Sequence, residues 1–282
     1  LSAVDYRLVF FVSVPIGLAG TLWSRLQLRE LGTIRPGQRI DLWGNLTFGV
    51  GLALVLLGAS YGQQPYAGAQ MGWGNPLVQL ALGAGLLTLA AFMLVELRVE
   101  DPMFRLSLFR NRMFAAANTA GLLAAVGRGG LQFMLVIWLQ GIWLPLHGYS
   151  YESTPLWAGI HLLPMIAGVL IMGPLSGVLS DRFGARTFAT AGMCVIAGAF
   201  LALSLLPADF PYPLFAVLIF LMGVGQGLFG SPNATSVMNS LPPQHRGGGA
   251  GMRATFQNSG VLLSQALFFS LVIVGISGSL TA

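Results

Sequence analysis

Long apolar runs separated by short connections constrain the fold of this chain more than any other feature. A transmembrane helix needs about 20 consecutive apolar residues. Eight runs have this character: 8–25, 42–62, 77–97, 114–143, 154–179, 188–206, 213–239 and 252–277. Lipid leaves no water for exposed backbone amides, so runs of this kind must form helices. The sequence therefore predicts an all-α integral membrane protein with about eight transmembrane helices.

The arginines predict how these helices are oriented. All 14 basic residues are arginine, and arginine in short connections stays on the cytoplasmic side of a membrane. The connections at 63–76, 144–153 and 207–212 contain none. The connections after the first, third, fifth and seventh runs contain twelve: Arg25, Arg29, Arg35, Arg39, Arg98, Arg105, Arg110, Arg112, Arg182, Arg186, Arg246 and Arg253. This pattern predicts a multi-pass protein of the cell membrane with both ends of the chain outside.

The stretch GPLSGVLSDRFGARTF at 173–188 concentrates charge between two apolar runs. We expect residues 177–187 to form a tight cytoplasmic turn in which Asp181 contacts Arg186 or the positive end of the next helix. A charged contact at a helix hairpin fits a transporter that rocks between two states, because the contact forms in one state and breaks in the other. The candidate latch is Gly177, Asp181, Arg182, Gly184 and Arg186.

Four stretches resemble a known family. GVLSDRFGAR at 177–186 resembles the G-x-L-x-D-R-x-G-x-R loop of the major facilitator superfamily, which lies between the second and third helices of each six-helix half. DYRLVFFVSVPIG at 5–17 is similar to a signature near the sixth helix of the fourteen-helix drug:proton antiporters of the EmrB/QacA type, from which it departs at Tyr6, Leu8 and Ser13. LFRNRMF and TPLWAGIHLLP are similar to that family around its ninth and tenth helices.

The resemblance implies a major-facilitator-type bundle in three parts. Residues 1–41 would hold the last helix of the N-terminal half and a cytoplasmic connector. Residues 42–112 would hold two linking helices, and residues 113–282 most of the C-terminal half. The chain would then be a fragment of a protein with 12 to 14 helices, and its partners would be the missing helices of that protein, the lipid bilayer and a small-molecule substrate.

The same resemblance implies secondary active transport by alternating access, with proton-coupled efflux of amphipathic drugs. We expect no cofactor, since a proton gradient would supply the energy. Proton coupling normally uses a carboxylate inside the membrane. No carboxylate lies as deep in an apolar run as Arg128, so the coupling residue is expected in the missing helices. Uptake or export of a small metabolite or anion is the alternative within transport, since fold alone does not give function.

Arg128 is the one ionisable residue that stands out inside the apolar runs. An arginine at that depth is costly, so it normally faces a cavity or a partner. Gln132 follows four residues later on the same helical face, and Gln226, Gln257 and Asn258 mark later runs. These five form the candidate substrate pathway. The alternatives are a structural role for Arg128 at a helix interface and amides that tie helices together.

Several other functions are disfavoured. A membrane-embedded transferase would need a cluster of His, Asp or Glu at one membrane face, and none is visible, so we expect no enzyme. A nucleotide-driven pump needs a phosphate-binding loop with Lys, which the chain lacks. No metal site or nucleic-acid partner is expected, and Glu96 is expected at a helix end at the membrane interface, beside Arg98. A membrane scaffold without transport activity remains open.

Overall fold

Long helices joined by short connections make up the computed structural model, which describes residues 7–27, 41–69, 71–99, 102, 104–207 and 209–280. The helices of this described part are α1 Arg7–Gln27, α2 Leu42–Gly62, α3 Pro76–Glu96, α4 Arg112–Leu146, α5 Thr154–Phe183, α6 Ala185–Ser204, α7 Tyr212–Asn239 and α8 Arg246–Leu280. Each coincides with one predicted run. The helical fold class is therefore confirmed.

Over the described residues, six helices, α2 to α7, are long and apolar enough to cross a membrane. Large apolar side chains point outward from them. Leu77 and Leu87 of α3 are both 74% exposed, and Leu170 of α5 is 69% exposed. Exposed leucines over whole helix faces fit a lipid environment, where no apolar surface needs to be covered.

Two of the long helices change geometry along their length. In α4 the α-helix Arg112–Trp138 continues through a π-helical turn at Leu139–Trp143 and ends at Leu146. In α5 a break at Leu162 separates Thr154–His161 from Leu163–Phe183. Both irregularities lie at the end of the bundle where α4 leads into α5.

Helix α7 forms the centre of the bundle, with α5 and α6 packed along it and α4 beside it. A Cβ atom on Gly227 of α7 would lie 2.8 Å from the backbone nitrogen of Gly173 in α5. A Cβ atom on Gly192 of α6 would lie 2.7 Å from the carbonyl oxygen of Gly225 in α7. Lipid provides no hydrophobic drive between helices, so close backbone approach of this kind holds them together.

Helix α8 packs along α4 in a similar way, and Ser264 connects the two. The Ser264 hydroxyl accepts a hydrogen bond from the Gly130 amide at 2.7 Å and donates one to the carbonyl oxygen of Val126. Ser264 is fully buried. Helices α2 and α3 pack mainly against each other. The division of the chain into three parts stays a prediction.

Two clusters of large side chains close the ends of the bundle. We call the end that holds the connections after α3, α5 and α7 the arginine-bearing side. At this end, phenylalanine rings join α2 and α3 to α4 and α8. The rings are those of Phe48, Phe92, Phe104, Phe109, Phe114 and Phe256. Trp143 stacks between His147 and Phe210 at the opposite end, and its indole nitrogen donates to the Phe210 carbonyl oxygen at 3.2 Å.

Glu96 is the last residue of α3 and is only 4% exposed. Its Oε2 atom accepts a hydrogen bond from the Phe104 amide at 3.0 Å. The carboxylate thereby fixes the connection between α3 and α4 to the end of α3. The ring of Phe104 packs against Phe48 and Phe92, which brings the Phe104 amide to Glu96.

Replacing Gly227 with alanine should destabilise the protein by about 1 to 3 kcal/mol, since the added methyl group would overlap the α5 backbone. Gly198→Ala is the matched control, because a Cβ atom there meets nothing within 4 Å. Thermal unfolding followed by circular dichroism measures both. Equal unfolding temperatures for Gly227→Ala and the native protein would contradict the close approach of α5 and α7.

Candidate functional site

A cavity of about 120 Å³ lies among α4, α6, α7 and α8. Four long polar side chains line it: Arg128 from α4, Gln226 from α7, and Arg253 and Gln257 from α8. The rest of the lining is apolar or small: Gly121, Ala124, Ala125, Ile196, Phe200, Met222, Phe229 and Gly230. We call this the arginine cavity. It combines two cationic groups and two amides with an aromatic and aliphatic wall.

Helical periodicity explains why these residues meet. Residues three, four or seven apart share one face of an α-helix. Gly121, Ala125 and Arg128 follow this spacing on α4, and Arg253 and Gln257 are four apart on α8. Gly121 lets α4 approach the polar side chains closely, since a Cβ atom there would lie 3.3 Å from Asn233 Nδ2.

The arginine cavity carries positive charge that no described carboxylate offsets. No Asp or Glu lines it, and the acidic residues of the described part sit at helix ends and in connections: Asp41, Glu96, Glu152, Asp181 and Asp209. The Nε atom of Arg253 is buried and has no hydrogen-bond partner there. The same residues include no group of three or more metal-ligating side chains. Among the described residues, the lining therefore presents two cationic groups without a neutralising acid.

The structure brings together three of the five predicted pathway residues: Arg128, Gln226 and Gln257. Gln132 is exposed and lies outside the lining, one helical turn beyond Arg128. Asn258 is also exposed and outside the lining, because one residue step from Gln257 rotates it by about 100° around the helix. The transport role of all five stays a prediction.

Arg253 is a cavity residue that the sequence analysis assigned to a cytoplasmic connection. Helix α8 begins at Arg246, so Arg253 lies two turns inside the helix. Its spacing of four from Gln257 was the signal that could have placed it in the cavity.

A second cavity of about 510 Å³ lies between α4, α6 and α7, on the arginine-bearing side of the first. Small and flexible apolar side chains form most of its wall: Met113, Ala116, Ala117, Ala120, Ala185, Ala189 and Met193. Phe229 contributes to both cavities. Arg186 lines the second cavity, and so does Asn233, which is 3% exposed and whose Nδ2 atom has no partner among the described residues.

The predicted turn at 177–187 is much shorter than expected. Helix α5 continues to Phe183 and α6 begins at Ala185, so Gly184 alone joins them. Its φ angle of +92° explains this, because glycine adopts such a conformation without steric cost. Gly177, Asp181 and Arg182 therefore lie in the last turns of α5, and Arg186 lies in the first turn of α6.

The candidate latch makes few contacts within the described residues. Asp181 is exposed and forms no hydrogen bond or ion pair there, so the expected contact with Arg186 or with the start of α6 is not formed. The Arg182 guanidinium lies 5.5 Å from the ring centre of Phe183. Gly177 packs against α7, where a Cβ atom would lie 2.9 Å from Ser231 Oγ. Asp181 and Arg182 thus face outward, whereas Arg186 lies at the wall of the second cavity.

Comparison with known proteins gives a consistent result. Residues 1–265 match the sequence model of the Major Facilitator Superfamily. The chain is 28% identical over 266 residues to a riboflavin transporter of Clostridioides difficile (strain 630), which covers 93% of this chain and 53% of that protein. It is 30% identical over 258 residues to a methylenomycin A resistance protein of Bacillus subtilis (strain 168), with 89% and 51% covered.

A third relative is a tetracenomycin C resistance and export protein of Streptomyces glaucescens. It is 25% identical over 264 residues, which cover 94% of this chain and 46% of that protein. The chain therefore spans about half the length of the curated relatives it matches.

The arginine cavity should be wetted, because four polar side chains line it. In a protein with Cys194 replaced by alanine, Gln226→Cys should react with a charged methanethiosulfonate reagent, since thiolate forms only where water reaches the sulfur. Native Cys194 is the matched control, because it lies in the apolar run of α6 and outside both cavities. Labelling is measured by mass shift in intact membranes. Faster labelling of Cys194 than of Gln226→Cys would contradict a wetted cavity.

Proposed function

This chain belongs to the Major Facilitator Superfamily, and on that premise we propose that the whole protein is a secondary active transporter that exports amphipathic organic compounds by alternating access. The observation that carries the proposal is the arginine cavity, in which polar side chains from three helices converge beside aromatic walls. Pockets of this composition, apolar with a few converging polar groups, are typical of small-molecule sites. The family consists of transporters, and we propose no enzymatic activity.

Export is favoured by the relatives. Proteins whose names describe tetracenomycin C export and methylenomycin A resistance match most of this chain. A multidrug resistance protein of Mycobacterium tuberculosis matches 98% of it at 28% identity. We extend drug export from these proteins to this one as a proposal. The riboflavin transporter favours a second candidate, the transport of a small metabolite through the same cavity.

In the proposed mechanism α5, α6 and α7 move as one rigid unit. Glycine contacts hold α5 and α6 against α7, and the single residue Gly184 prevents α5 and α6 from separating. Asp181, Arg182 and Arg186 would engage residues of the other half of the whole protein in one state and release them in the other. Their exposure in this chain supports that role.

We propose a proton gradient as the energy source and no bound cofactor. Proton coupling inside a membrane uses an ionisable group that changes its charge during the cycle. The arginine cavity offers guanidinium groups, which remain protonated. The titrating carboxylate of the proposed cycle therefore belongs to helices that this chain does not contain.

Asp181→Asn should slow transport by the whole protein about tenfold, since loss of a latch contact shifts the balance between the two states by one to three kcal/mol. Asp209→Asn is the matched control, because Asp209 is an exposed acid at the opposite end that lies 3.5 Å from His147. Inverted membrane vesicles are energised with a respiratory substrate, and uptake of a cationic dye, ethidium, and an anionic dye, fluorescein, is followed by fluorescence.

A protonophore, which collapses both the pH gradient and the membrane potential, should abolish the uptake of whichever dye is moved. Uptake that survives the protonophore would overturn proton coupling. Equal rates for Asp181→Asn and the native protein would overturn the latch. The absence of uptake of both dyes by correctly inserted protein would overturn export of amphipathic compounds.

A further inference from the structure

We infer that the arginine cavity recognises an anionic group, a carboxylate, sulfonate or phosphate, on an otherwise apolar or aromatic cargo. The inference rests on the proposed transport function, because it names the chemical class of compound that the same cavity holds. Four residues carry the recognition: Arg128, Gln226, Arg253 and Gln257.

The first argument is the balance of charge. Two guanidinium groups line one small cavity, and no described carboxylate lines it with them. A cation inside the membrane region is costly unless it pairs with an opposite charge. Two cations that share a cavity also repel each other. A bound anion offsets both costs, whereas a cationic cargo would add to them.

The second argument is the set of hydrogen-bond donors. Guanidinium offers a planar fork of N–H groups that matches the two oxygens of a carboxylate or phosphate. The Nε atom of Arg253 is buried and has no partner among the described residues, so a donor is left over inside the protein. Gln226 and Gln257 add amide N–H groups on either side, from α7 and α8.

The third argument is the apolar surface beside the charges. Ile196 and Phe200 of α6 and Met222 and Phe229 of α7 supply the large apolar side chains of the arginine cavity. Phe229 continues into the second cavity, which is about 510 Å³ and lined mainly by alanine and methionine. The arginine cavity, at about 120 Å³, holds only the charged group. The larger cavity has room for the apolar body of the cargo.

Binding of two xanthene dyes of similar size tests the inference. Fluorescein carries negative charge and rhodamine 123 carries positive charge. The full-length protein is placed in nanodiscs of phosphatidylcholine, and fluorescence polarisation gives the affinity for each dye. We expect saturable fluorescein binding that weakens about tenfold or more in Arg128→Gln and in Arg253→Gln, since each removes charge-assisted hydrogen bonds.

Arg110→Gln is the matched control, because Arg110 is an exposed arginine outside both cavities. It should leave the fluorescein affinity unchanged. Arg128→Lys and Arg253→Lys, which keep the charge but lose the planar fork, should give intermediate affinities. Unaltered fluorescein affinity in both glutamine variants, or no fluorescein binding by the native protein, would overturn the inference.

A competition experiment on the native protein tests the inference without variants, which could lose binding because they fail to fold. Benzoate should displace fluorescein, and benzamide, which has nearly the same shape without the charge, should not. Equal displacement by the two would overturn recognition of the charge. Nanodiscs that also contain phosphatidylglycerol distinguish cargo from lipid, since loss of fluorescein binding there would assign the cavity to a lipid headgroup and overturn the cargo assignment.

Transport of the same dyes in energised vesicles separates this inference from the function on which it rests. Fluorescein that binds through Arg128 and Arg253 but is not transported would support the anion site and overturn the transport proposal. Rhodamine 123 that is transported while fluorescein does not bind would support the transporter and overturn the anion site.

Discussion

Close contact between helix backbones is the interaction on which the rest of this structure depends. In lipid the hydrophobic effect does not press apolar helices together, so packing and interhelical hydrogen bonds must do so. Gly227 and Gly192 bring α5 and α6 against α7 at distances that no larger residue allows. Ser264 holds α8 against α4 through two hydrogen bonds to the α4 backbone. The arginine cavity exists because these contacts hold four helices at fixed spacing around it.

In the described part of α4 to α8, the charged side chains lie away from the contacts between helices. Gly192, Gly227 and Ser264 lie where helices touch, and the guanidinium groups of Arg128 and Arg253 lie where the helices leave a space. Placing a cation inside a contact would require two helices to move apart and would leave the charge without water. Placing it in a cavity keeps the contact intact and lets water or an anion reach the charge.

The sequence predicted the helices well because their apolar length is a local property, and all eight runs became helices. It predicted less well the turns and side-chain positions that depend on tertiary structure. Gly184 shortened the expected turn to one residue, which depends on backbone geometry. Glu96 became buried because Phe104, eight residues later, folds back onto it. Arg253 was assigned to a connection, because the sequence around an arginine near the end of an apolar run does not show whether that arginine lies in the loop or in the helix.

The one-residue link at Gly184 also has a consequence for how the protein is made. Helices α5 and α6 are joined by one residue, so one of them cannot cross the membrane independently of the other. We expect the two helices to enter the bilayer together as a hairpin. Arg182 and Arg186 flank the link and favour the cytoplasmic side of the membrane, so the same short segment fixes the direction in which the hairpin inserts.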